Sequence, residues 1–113
     1  MKRLIVIAFI LLAGCNKAES FGDAGRGKQL VDKYGCQACH AIPGAKGPKG
    51  AVGPPLDKIA LRTFIAGKVQ NTPQNMTQWL QNPQAFDPGS AMPNLGVTPD
   101  DARDLAAFLF TLK

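Results

Sequence analysis

This 113-residue sequence has few long apolar runs, no basic cluster, no repeat and only one histidine. Its single unbroken apolar stretch, Leu4 to Ala13, falls short of the ~20 residues that a membrane-spanning helix needs. The lysines are scattered, so nothing in the charge pattern points to nucleic acid. No segment repeats, and none alternates apolar and polar residues convincingly enough to read as a strand. Cysteine is limited to three positions, Cys15, Cys36 and Cys39. A zinc site wants about four nitrogen or sulfur ligands, and beyond Cys36, Cys39 and His40 the domain has none to offer.

What remains is enough for one small globular domain, with 45% hydrophobic and 19% charged residues. A domain of this size buries little apolar surface unaided. A large apolar cofactor would enlarge its core.

The N-terminus reads as an export signal. Lys2 and Arg3 precede the apolar run, which closes on Leu12-Ala13-Gly14-Cys15. That tetrapeptide resembles a bacterial lipobox, which implies cleavage after residue 14 and lipid attachment at Cys15. Residues 15–22 are then a lipidated tether, whose polar part Asn16–Gly22 reaches roughly 25 Å when fully extended, and residues 23–113 are the domain. Processing also explains the odd cysteine count. It lowers the formal charge from +5 to +3, because Lys2 and Arg3 leave with the signal.

Three helices are predicted. Asp23 caps the first, over residues 24–34, with Leu30, Val31 and Tyr34 on one face and Gly35 as its stop. Thr72-Pro73 starts the second, which carries Met76, Trp79 and Leu80 on one side and ends at Pro83. Thr98-Pro99 starts the third, with Asp100 and Asp101 favoured by the dipole of the first turn and Leu105, Phe108 and Leu109 as its stripe to about Thr111. Residues 41–55 and 82–97 read as loops, and 57–61 as a short helix. Loops this long suit a chain wrapped around something. The fold class is all-α.

The chemistry lies in Cys36-Gln37-Ala38-Cys39-His40. Two thiols at i and i+3 share a face of a helical turn and can each bond a vinyl group on one edge of a porphyrin. The histidine that follows is then held beneath the iron. Cys-x-x-Cys-His is the attachment motif of a covalent haem (heme c). A thioredoxin-like pair would need a βαβ context that this sequence lacks. With no second histidine, a methionine sulfur is the natural sixth ligand. Met92, in the stiff Pro88–Asn94 loop, is preferred to Met76, whose helical face with Trp79 and Leu80 reads as packing.

With these pieces in order, the sequence resembles the class I c-type cytochromes over residues 22–113. Gly27, the CxxCH motif, Gly53-Pro54-x-Leu56, Met92-Pro93 and the closing helix carry the likeness. The stretches Gly53–Arg62, Asn71-Thr72-Pro73, Trp79-Leu80, Asn82-Pro83-Gln84 and Pro88-Gly89 are similar to the cytochrome c domain fused to subunit II of some haem–copper oxidases. The resemblance implies that the Pro54 carbonyl accepts from His40, that Leu56 packs on the haem, and that Arg62 and Trp79 lie near the propionates. It also implies that Gly27 lets the first helix approach the last near Phe108.

An iron ligated on both sides offers no position to a substrate, so electron transfer is expected and enzymatic turnover is not. The expected partners are redox proteins, namely a respiratory donor and a terminal oxidase or similar acceptor, with Lys46, Lys49 or Lys58 as candidates for steering acidic ones. No small-molecule substrate and no nucleic acid are expected. The alternatives are a haem enzyme or sensor with a labile sixth ligand, and an electron-entry subunit of an oxidase complex. The expected location is the periplasmic, extracytoplasmic face of a bacterial membrane, by way of the lipid on Cys15.

Overall fold

Asp23 begins the first helix by accepting a hydrogen bond from the Arg26 amide at 3.0 Å. The computed structural model describes residues 21–113. The export signal, Cys15 and the tether up to residue 20 therefore lie outside the described residues. Helix α1 spans Ala24–Tyr34 and stops at Gly35, whose φ of 68° is left-handed and open to glycine. Helix α2 (Pro73–Gln81) is capped by Thr72, and helix α4 (Pro99–Leu109) by Thr98, each with proline in the first turn. Between them lies α3, a single turn over Pro83–Phe86.

Two local expectations are corrected, and the short helix expected over 57–61 is narrowed. Residues 82–97 are not all loop, because Pro83 opens a new turn directly after α2. A proline that ends one helix has the fixed φ to start the next. The 57–61 segment is a 3-10 turn over Ile59–Leu61. Phe64–Ile65 (β1) and Val69–Gln70 (β2) form an antiparallel pair, with Phe64 opposite Gln70 and Ile65 opposite Val69. Two-residue strands are too short for alternation to be legible. The fold remains essentially helical.

The core sits where α4 meets α1 and α2. Leu30 and Val31 of α1, Met76, Trp79 and Leu80 of α2, and Ala102, Leu105, Ala106, Phe108 and Leu109 of α4 are buried together. Gly27 is the point of closest approach. A Cβ there would collide with the Asp104 carbonyl and lie 2.9 Å from the Phe108 Cβ. Only glycine permits this crossing.

Charge fixes the same crossing. Asp101 is 4% exposed, and its carboxylate accepts from the Tyr34 hydroxyl and the Arg26 guanidinium, each at 2.5 Å, with Lys33 at 3.3 Å. Arg26 also reaches Asp104 at 2.6 Å, and Asp104 accepts from the Asp23 amide at 2.8 Å. The Tyr34 hydroxyl, followed by Arg26, holds the Asp101 carboxyl at about 2. The backbone amide of Asp23 lowers Asp104 in the same sense. Helix-dipole reasoning accounts for Asp100, which is exposed beside Arg103, but Asp101 is an interhelical tie. Among the described residues no helix is long and apolar enough to cross a membrane.

Candidate functional site

The left-handed Gly35 turns the chain out of α1 and into a 3-10 turn over Cys36–Ala38. The amides of Cys39 and His40 both return to the Cys36 carbonyl, at 3.2 and 3.1 Å. This tight turn sets Cys36, Cys39 and His40 on the wall of one cavity. Both cysteines are half-buried. Burial pushes the Cys36 thiol up from its ordinary value.

The loop that follows is strung back onto this turn by three backbone bonds. Gly50 donates to Gln37 at 3.0 Å, Gly53 to Cys39 at 2.8 Å and Leu56 to Ala41 at 2.9 Å. They press Gly53 against the imidazole of His40, so closely that a Cβ at Gly53 would overlap the ring. The next residue supplies the orienting contact: His40 Nδ1 lies 2.7 Å from the Pro54 carbonyl. A carbonyl has no proton to give, so Nδ1 must carry the hydrogen. Nε2 is then left with a free lone pair, the form that binds a metal.

The remaining walls come from every part of the fold. Met92 is half-buried in a loop shaped by Asp87 and Ser90. The Ser90 amide donates to the Asp87 carbonyl at 2.9 Å, and the Met92 amide donates to Ser90 Oγ at 3.2 Å. Leu56, Arg62, Trp79 and Pro54 line the cavity together with Met92 and the CxxCH residues, so all eight residues singled out within the described chain face one space. Cys15 lies outside the described residues. Sequence reasoning missed Ile59, Ile65 and Leu95, which also line the space. They sit in a 3-10 turn, a two-residue strand and a loop, where no periodicity marks an inward residue. Met76 is 3% exposed, packed with its α2 neighbours, and touches the cavity from that face.

The cavity has a volume of about 520 Å³, within the range of about 300–1,000 Å³ usual for cofactor sites. Its walls are apolar apart from a few placed groups: the His40 imidazole, two thiols, the thioethers of Met76 and Met92, the Arg62 guanidinium, the Ser90 hydroxyl and the Asp87 carboxylate. Among the described residues Arg62 forms no ion pair. Its guanidinium donates to the Pro55 carbonyl and stays available to an anionic group. These residues fit a flat, apolar, iron-bearing ring with acidic substituents.

The family model for cytochrome c matches residues 24–113. The chain belongs to the cytochrome c family. Cytochrome c2 of Agrobacterium tumefaciens (strain II Chrys) is 31% identical over 104 residues, covering 78% of this chain and 90% of that protein. Cytochrome c oxidase subunit 2 of Alkalihalophilus pseudofirmus is 32% identical over 91 residues, which is 80% of this chain. This cytochrome chain spans about a quarter of that subunit, 26% of its length. The solved structure of cytochrome c2 from Rhodobacter capsulatus shares the fold, with a TM-score of 0.57 at 23% identity over 78% of this chain and 96% of that one. The class I cytochrome fold, a covalent haem c and electron transfer follow from membership.

Proposed function

We propose that this cytochrome is a lipid-anchored, single-haem electron shuttle of a bacterial respiratory chain. In this reading Cys36 and Cys39 form the two thioether links, His40 Nε2 and the Met92 sulfur hold the iron, and Cys15 carries the anchor. Haem iron supplies a one-electron couple, and imidazole–thioether ligation sets it at a high potential. The protein's part is to bind, orient and keep the site dry. Pro54 orients His40, Gly53 lets the loop close on the ring, Leu56 and Trp79 exclude water, and Arg62 faces the acidic groups. The observation that carries the reading is the His40 Nδ1–Pro54 bond of 2.7 Å, which leaves Nε2 as a ligand in a cavity shared with Met92.

The test is optical. A low-spin spectrum with a weak sulfur-to-iron band in the near infrared is expected, and the band vanishes in Met92→Ala. If it survives there and vanishes in Met76→Leu, the ligand assignment passes to Met76. Mass spectrometry tests the anchor: the mature chain begins at Cys15 with acyl chains attached. One acyl chain gives only marginal binding, and several give stable anchoring.

A second reading is supported by the likeness to oxidase subunit 2. The chain would then be an electron-entry component held in an oxidase complex. Purification from membranes in mild detergent separates the two, since a shuttle elutes alone and an entry component elutes with its oxidase.

A further inference from the structure

We infer that Leu61 and Phe64, rimmed by Lys58 and Lys68, form a surface that seats the domain on an anionic lipid bilayer. The inference rests on the anchored reading above and adds an orientation to it. The segment from Ile59 to Ile65 has two sides. Ile59, Arg62 and Ile65 face the cavity, whereas Leu61 and Phe64 do not and remain 64% and 55% exposed. Large apolar side chains exposed three residues apart on one side of a segment offer a small contact surface.

Charge says what kind. Between Asp57, exposed beside Lys58, and Asp87 the chain has no acid, and its only charges there are Lys58, Arg62 and Lys68. Arg62 is turned to the cavity, so Lys58 and Lys68, both exposed, rim the outer side. Apolar side chains that enter the headgroup region beside lysines that stay at its surface are the pattern of an interfacial membrane contact.

The chain path places this surface near the tether. Phe21, where the tether meets the domain, packs edge-on against Phe110, with ring centroids 5.8 Å apart. Two residues on, the Leu112 carbonyl accepts from the Ala60 amide at 3.1 Å. The exit of the tether and the Ile59–Leu61 turn thus share the end of α4. Residues 16–20 reach under ~20 Å even when extended, so an anchor at Cys15 holds this end close to the bilayer.

Two side chains are too few for a stable free protein interface, which buries about 1,200–2,000 Å². A tethered surface needs far less, because the anchor supplies the effective concentration. Val52 and Leu95 border the cavity itself, so this seating leaves that rim to redox partners.

The experiment uses the full mature holoprotein. It is reconstituted in vesicles of phosphatidylcholine alone, or of phosphatidylcholine and phosphatidylglycerol at roughly 2:1, and probed by hydroxyl-radical footprinting. Flotation with both vesicle types reports the anchor. Labelling of Leu61 and Phe64 is expected to fall about threefold on the anionic vesicles, while Val52 keeps its rate. The Lys58→Glu/Lys68→Glu variant floats equally and loses the protection, with its haem spectrum as the check of folding. Failure to float overturns the anchored reading and the seating with it. Flotation without selective protection overturns the seating alone. Protection that grows with protein density on the vesicle assigns the surface to a second copy and overturns it as well.

Discussion

The α1–α4 crossing and the loops around the cavity are held by different means. At the crossing, Gly27 admits backbone contact, a stripe of α4 fills the core, and Asp101 ties both helices through Tyr34 and Arg26. Every element is a regular helix that supplies its own backbone bonds. The wall of residues 41–58 has no regular structure except turns. It is carried by a few bonds to the CxxCH turn, such as Gly53 to Cys39 and Leu56 to Ala41, and it encloses the space a haem would fill. The α1–α4 pair is joined by contacts of its own, whereas the loop wall closes on the cavity itself.

Removing the cofactor attacks the loops hardest. Empty apolar space costs about 24 cal/mol per Å³, which for the cavity of about 520 Å³ gives an upper bound of about 12 kcal/mol, comparable to a whole domain's stability. Cys36→Ala/Cys39→Ala protein stripped of haem is therefore expected to lose its loop wall. Amide exchange of residues 41–58 should approach random-coil rates, with the slowest surviving amides in α1 and α4. Uniform loss across both regions would show that the helices depend on the cofactor too.

Gly27→Val attacks the other side of the comparison. Its side chain meets backbone that cannot move aside, so a loss of about 3 kcal/mol or more is expected in urea unfolding of the holoprotein. Gly53→Ala is the local counterpart in the loop. It forces the imidazole and the Pro54 carbonyl apart, and the expected sign is a weakened or lost low-spin spectrum with the α1–α4 pair intact.

Acid sharpens the contrast. Asp101 titrates at about 2 in the fold against 3.8 ordinarily. Because the folded value is the lower one, its stabilisation is complete above about pH 4 and is lost as pH falls towards 2. Asp101→Asn should flatten the fall in urea midpoint across that window, and Tyr34→Phe should move it towards higher pH. The smallest effect is expected at the cap of α4, where Thr98→Ala removes the bond to the Asp101 amide and costs about 1 kcal/mol.

Much of this cytochrome was legible because its signals are local. Asp23, Gly35, Thr72 and Thr98 act within one turn of where they stand, so caps and stops placed the main helices directly. The CxxCH spacing is equally local, and it named the cofactor. The single turn of α3 and the two-residue strands escaped because they are shorter than any pattern that would reveal them.

What only tertiary structure decided involves groups far apart in the chain. Asp101 looks like a dipole-favoured acid until α1 brings Tyr34 and Arg26 against it. Ile59, Ile65 and Leu95 gain meaning only when the loops fold over a common space, and Leu61 and Phe64 only when their neighbours turn inward. Short-range geometry is written in neighbouring residues, whereas burial and pairing across the fold depend on which distant surfaces meet.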